Sequence, residues 1–396
     1  MSQDQLAEFS RLLYSPTTLL LYFTAAFVYL YALTTTVGRR AEQLRGQRAQ
    51  RLAGVVTVLA LAAHLTHEVV RALAQDRLPL GNMFEVTSLM ALAGVVTGLV
   101  YLQFVRRRPE LNGFVLLGGG LVLALAGLMY AEPGPLMPIL DTWWRTFHVT
   151  LLVVAMGIFA AAFMFNGLYL LRDTAERSVA DARAGGTGGS TVGAAYVGDL
   201  QSDPTGGSGG DGPEGPDDDE VDREQLRQYH AALRAGIPPL KLAIGTFVTT
   251  GLVSWVFWYS ADTHLEGVTR FLAVNLVMVA AALLARWFVP FLPSTATLDG
   301  LAHRTTAFAF VLWTVGVIAG AMWAEISWGR FWGWDPKETG SFLTWIAYAG
   351  YLHARATRGI KGRGAAWINL GAFVVLMGTY LIANYVVVGL HSYAEL

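Results

Sequence analysis

Residues 149–171 read VTLLVVAMGIFAAAFMFNGLYLL, an apolar run without a charged side chain. About 20 such residues in a helix cross the ~30 Å hydrocarbon core of a bilayer. Working outward from this run, nine more stretches of the same kind can be drawn, at 17–37, 52–73, 83–105, 113–130, 241–259, 268–290, 305–325, 340–357 and 366–389. They are rich in Leu, Ala, Val, Phe and Gly and lack the two-residue alternation of strands, so helices are expected rather than a barrel. The fold class read from the chain is all-α: a polytopic transmembrane bundle of about ten helices.

Composition agrees. Of 396 residues 54% are hydrophobic and only 14% charged, with a mean hydropathy of +0.44. A soluble domain carries about 25% charged residues. The formal net charge of −1 gives no reason to expect nucleic acid. There is no cysteine, which excludes disulfides, thiolate metal sites, a redox CxxC pair and covalent haem attachment to this chain.

Asp4 and Glu8 stand where a signal peptide would carry basic residues, so no cleaved leader is expected. Basic residues gather in alternate loops: Arg39, Arg40, Arg45, Arg48 and Arg51; Arg106, Arg107 and Arg108; Arg355, Arg358, Lys361 and Arg363. The positive-inside rule makes these loops cytoplasmic in a plasma membrane. Both termini and the loops near 74–82, 131–148, 260–267 and 326–339 then face outward. Three regions follow: helices 1–5 in residues 1–172, a Gly-rich and acidic cytoplasmic linker at 173–236, and helices 6–10 in 237–396. The linker composition cannot bury enough apolar surface to order itself, so it is expected to be disordered.

The outward loop after the eighth span reads Trp328-Gly329-Arg330-Phe331-Trp332-Gly333-Trp334-Asp335-Pro336-Lys337-Glu338-Thr339. An interfacial belt places Trp at helix ends, but three Trp and one Phe within seven residues build a shelf suited to a large planar ligand with a polar edge. Asp335, Pro336 and Glu338 fit a capping box opening the ninth helix. Two outward histidines flank spans on the same side: His148, after Trp143-Trp144-Arg145-Thr146-Phe147, and His391 in Gly389-Leu390-His391-Ser392-Tyr393. Two neutral imidazoles across a planar ligand are what a six-coordinate haem iron requires. Among the few outward cations are Arg145, Arg330, Lys337 and Arg77, and arginine suits the two haem propionates.

Ionisable groups inside the membrane are costly and usually functional. The second span carries His64, His67, Glu68 and Arg71, with 64, 68 and 71 on one face, and the ninth carries His353. The depths of His64 and His353 differ by about 6 Å, which admits a second haem between them. A snorkelling His353 beside Arg355 is an equal alternative. His303 reads as an interfacial residue.

The tryptophan loop closely resembles the WWD motif of the haem-handling superfamily that acts in cytochrome c maturation, and within it the CcsA/ResC-type family (often labelled CcsB in actinobacteria). Pro79-Leu80-Gly81-Asn82-Met83-Phe84-Glu85 resembles that family's PLxNxYE turn, Phe147-His148-Val149 its HV motif, and Tyr351-Leu352-His353-Ala354-Arg355 and Gly389-Leu390-His391-Ser392-Tyr393 its closing segments. Departures are Phe84 for Tyr, His303-Arg304 for Tyr-Arg, and a helix pair at 241–290 without a counterpart.

The resemblance implies haem b ligated by His148 and His391, with Trp328, Trp332, Trp334, Asp335, Arg145 and Arg330 around it. It maps the membrane histidine to His353, whose partner is either His64 or a residue of another subunit. It further implies a ResB/CcsB-type membrane partner, an apocytochrome c substrate, an external thiol reductant and surrounding membrane lipid. The function to test is haem delivery for covalent attachment to CxxCH motifs. A haem transporter and a b-type electron-transfer cytochrome are the alternatives.

Overall fold

A computed structural model describes residues 1–35, 40–136, 140–184, 218–387 and 389. Among the described residues there is no strand. The helices are α1 (Gln3–Leu12), α2 (Leu19–Thr34), α3 (Arg40–Gln75), α4 (Met83–Val100), α5 (Asn112–Gly127), α6 (Trp143–Ala184), α7 (Asp218–Ala235), α8 (Pro239–Tyr259), α9 (His264–Trp287), α10 (Thr295–Trp328), α11 (Pro336–Arg358) and α12 (Gly362–Tyr385). Nine described helical stretches are long and apolar enough to cross a membrane. The remaining expected span, 340–357, lies within α11, a 23-residue helix with Lys337 and Glu338 near one end and Arg355 and Arg358 near the other. The chain is a polytopic helical membrane protein.

The first span begins earlier than the hydropathy suggests. A π-helical stretch at Leu13–Thr18, with Ser15 out of helical conformation before Pro16, joins α1 to α2. Pro16 lacks an N–H and cannot continue the ladder, and α1 lies back along α3.

The central pairing is α6 against α10, which joins the first half of the chain to the second. α4 crosses α6 where Gly94 meets Gly157: a Cβ on Gly157 would stand 2.5 Å from the Met90 carbonyl oxygen. Small residues at such crossings let backbones approach without a hydrophobic drive from water. α8 and α9 form a hairpin at the edge, pinned by buried Asn275 donating to Ser254 Oγ (2.7 Å), with α8 touching α12.

The expectation of a disordered segment at 173–236 needs correction at both ends. α6 continues to Ala184, and Asp218–Ala235 forms α7; residues 185–217 lie outside the described residues. The low average hydropathy hides an amphipathic run. Leu233 and Ile237 are buried with Phe288 and Leu292. Arg286 donates to the carbonyls of Ile237 and Arg234, both at 2.6 Å, and Arg234 lies 4.0 Å over Trp287. A helix with one apolar edge can dock although its composition is polar overall.

Candidate functional site

The tryptophan loop is built by two helix ends. α10 stops at Gly329, whose left-handed φ of 68° is open to a residue without a Cβ. α11 starts with the expected capping box: Asp335 accepts from Lys337 N at 3.2 Å, and Glu338 Oε2 accepts from Asp335 N at 3.1 Å and Gly333 N at 2.7 Å. Glu338 therefore ties down the loop as well as the helix. Trp334 between them adopts a left-handed φ of 59°, a conformation uncommon outside glycine.

Beside this loop lies a cavity of about 220 Å³ walled by the turn before α4 and by α6, α10, α11 and α12. Its lining includes Arg145, His148, Trp313, Trp323, Trp332 and Lys337. His148 sits at the α6–α10 crossing. Its Nδ1 lies 2.7 Å from the Gly316 carbonyl oxygen and its ring stacks on Trp323 at 6.4 Å and 19°. A carbonyl only accepts, so Nδ1 carries a hydrogen. That is the arrangement typical of a metal-ligating histidine, which donates its other N–H to a backbone carbonyl. Gly320 makes it possible, since a Cβ there would stand 2.6 Å from His148 Cε1 and 3.2 Å from Nε2.

Arg145 is 5% exposed and donates from Nη1 to the Leu80 carbonyl at 3.0 Å. It lines both this cavity and a neighbouring cleft of about 580 Å³. The turn it contacts is held by Glu85, which is fully buried and accepts from Arg71 Nε (2.9 Å), Arg77 Nη1 (2.8 Å) and Gly81 N (2.7 Å). Arg77 thus serves the turn. Arg330 folds over Trp328 at 6.0 Å and pairs at 3.6 Å with Glu338, which lines the cavity, though Arg330 itself does not.

The three loop tryptophans divide. Trp332 lines the cavity, Trp328 packs on Trp323 at 5.0 Å, and Trp334 is 67% exposed with its ring against Trp332 and Phe342. Trp313 and Trp323 of α10 supply aromatic walls that sequence reading passed over as span residues. The Gly316-x-x-x-Gly320 spacing next to Trp323 was the available signal. His391 lies outside the described residues. Gly389 is described: a Cβ there would stand 2.6 Å from Asp335 Oδ2 and 2.8 Å from Pro336 Cδ, so the chain leaving α12 returns to the loop.

The idea of a haem between His64 and His353 is not carried by this geometry. His64 is fully buried with Nδ1 2.9 Å from Tyr22 Oη and Nε2 3.1 Å from Ser88 Oγ, so both ring nitrogens are engaged. α3, which carries His64, packs on α1, α2 and α4, whereas α11 packs on α10 and α12 and leaves His353 exposed. Sequence spacing gave similar depths, but depth says nothing about position around the bundle. His303, read as interfacial, stands 6.0 Å from the Tyr351 ring, near the Arg355–Asp299 ion pair.

Comparison with known proteins agrees with the motifs. Proteins named cytochrome c biogenesis protein CcsA share 52% identity over 100 residues in Gloeobacter violaceus and 49% over 100 in Guillardia theta, in each case 25% of this chain. The one in Gloeothece citriformis shares 41% over 132 residues, 33% of this chain. The matched stretches cover 30%, 33% and 40% of those relatives' own lengths. The family model described as cytochrome C assembly protein matches residues 15–391, a range that takes in the PLGNMFE turn, His148, the tryptophan loop and the return to His391. With nearly its whole length matched, the chain belongs to the cytochrome C assembly protein family.

Proposed function

We propose that the cavity beside the tryptophan loop holds haem b for covalent attachment to the CxxCH motif of an apocytochrome c on the outer face of the plasma membrane. The observation that carries this reading is His148, which lines the cavity beside Trp323 and Trp332 with its Nδ1 held 2.7 Å from the Gly316 carbonyl oxygen. The site's chemistry suits the group: aromatic walls for a planar ring, an imidazole for iron, and Arg145 and Lys337 for carboxylates. His391 is the proposed second ligand. Gly389, two residues earlier in the chain, lies on Asp335.

Bound haem supplies the iron and the vinyl groups to which cysteine thiols add. The chain's own part is positioning. His148 and His391 would hold the group, Arg145 would pair with its carboxylates, and Trp323 and Trp332 would keep water from the site. The cavity is smaller than ordinary ligand pockets of ~300–1,000 Å³, so loading would require its walls to part. Lacking cysteine, the chain depends on the substrate for its two thiols and on an external reductant to keep them reduced. A ResB/CcsB-type membrane subunit is the proposed partner.

The test is the absorption spectrum of the purified protein together with co-expression of an apocytochrome c. His148→Ala is expected to lose most bound haem, with free imidazole restoring it. Unchanged haem content and spectrum would remove the reading. Haem retained by the wild type together with the partner subunit, but without covalent holocytochrome, would leave haem carriage instead.

A further inference from the structure

We propose that Tyr22, His64, Ser88 and Glu68 form a proton-exchange site inside the membrane-spanning bundle, apart from the cavity beside the tryptophan loop. His64 and Glu68 stand one turn apart on α3, and both are buried, at 0% and 4% exposure. Tyr22 comes from α2 and Ser88 from α4. Tyr22 Oη is 2.9 Å from His64 Nδ1, His64 Nε2 is 3.1 Å from Ser88 Oγ, and Ser88 Oγ is 2.5 Å from Glu68 Oε1.

The hydrogens on this chain are determined by elimination. An ionised Glu68 only accepts, so the Ser88 hydroxyl donates to it. Ser88 Oγ then accepts from His64 Nε2–H, and the lone pair on His64 Nδ1 accepts from Tyr22 O–H. All four groups exist in a second, reversed pattern. A hydronium ion that gives a proton to Tyr22 Oη and leaves as water lets Tyr22 pass its own to His64 Nδ1, His64 pass its Nε2 proton to Ser88, and Ser88 pass its proton to Glu68. One O–H bond forms on Glu68, one proton enters at Tyr22, and the three groups between keep their proton number. No electron moves and no other bond changes. Lysine or arginine in the chain would block it, since neither offers an acceptor.

A second observation marks the site as short of hydrogen. Glu68 Oε2 and His67 Nε2 are both buried without a hydrogen-bond partner among the described residues. His67 Nδ1 lies 2.8 Å from the Ser10 carbonyl oxygen, which makes its Nε2 a bare acceptor as well. Glu68 Oε1 has its donor in Ser88, whereas Oε2 has none, and that oxygen offers an added proton a place to sit.

The charged and titratable groups facing the cluster are Arg71 on α3, Tyr14 beside the His67 ring, and Glu85 on α4, with Tyr130 beyond Phe84. Glu85 accepts from both Arg71 and Arg77. These three with Glu68 sum to zero when Glu68 is ionised and to +1 when it is protonated. Uptake of the proton therefore changes the charge beneath the Leu80–Met83 turn that walls the cavity.

Infrared titration of the full chain in lipid nanodiscs tests this without any bound cofactor. On acidification the wild type is expected to show a buried carboxylic-acid C=O band that shifts in D2O and is lost in Glu68→Gln. Ser88→Ala keeps the carboxyl and interrupts the chain, so the band should remain while its deuterium exchange slows at least several-fold. Circular dichroism confirms that each variant retains its helices. Superimposable titrations of wild type and Glu68→Gln would overturn the proposal, and so would unaltered exchange in Ser88→Ala. If Glu68→Gln does not fold, Ser88→Ala alone decides.

Discussion

At the residue scale, His148 is made useful by what lies behind it. The Gly316 carbonyl sets its tautomer, Trp323 sets its plane, and Gly320 leaves room for it. A methyl at Gly320 would stand within 2.6–3.2 Å of three ring atoms. Overpacking of this kind costs about 1–3 kcal/mol, so Gly320→Ala is expected to weaken haem retention roughly 5- to 150-fold by displacing the imidazole. Spectral titration of the variant with haem measures it, and wild-type affinity would show that the ring is not held there. His148 was legible in the sequence because it stands beside Trp143-Trp144-Arg145. Gly316 and Gly320 were not, since glycine is common throughout these spans and only the helix crossing gives these two a task.

At the element scale, two local patterns behaved differently. The capping box Asp335-Pro336-Lys337-Glu338 was readable because capping depends on residues within one turn. α7 was misread because its docking depends on Trp287, Phe291 and Arg286, which are distant in sequence. His230 on α7 sits 5.1 Å from the Phe291 ring, and burial, with Arg234 and Arg172 nearby, lowers its pKa below the usual 6.5. The docked helix therefore favours neutral imidazole, while a detached helix takes up a proton more readily. Stability of docking is full above that ordinary value and declines as pH falls below it. Protection factors across 224–235, referred to the intrinsic amide exchange rate at each pH, should be lower at pH 5 than at pH 8, and His230→Phe should abolish the difference. Equal protection at both pH values would contradict this account.

At the scale of the whole molecule, sidedness is open to a direct test because the chain has no cysteine of its own. Trp334→Cys and Arg358→Cys lie at opposite ends of α11. A membrane-impermeant maleimide added to intact cells is expected to label Trp334→Cys and leave Arg358→Cys unlabelled until the cells are broken. The reverse pattern would invert the topology. The sequence by itself determined that the chain crosses a membrane about ten times, where the spans lie, and which loop crowds three tryptophans into seven residues. Those features depend on runs of apolar residues and on neighbours within a turn, and both are local. Only the tertiary structure decided that α6 meets α10 so that His148 rests on Gly316. It alone brought Trp313 and Trp323 to the cavity, and it sent His64 to Tyr22 and Ser88 instead of toward His353. Hydropathy fixes how deep a residue lies, whereas its neighbours around the bundle follow from which helix faces pack, and that is a property of the assembled fold.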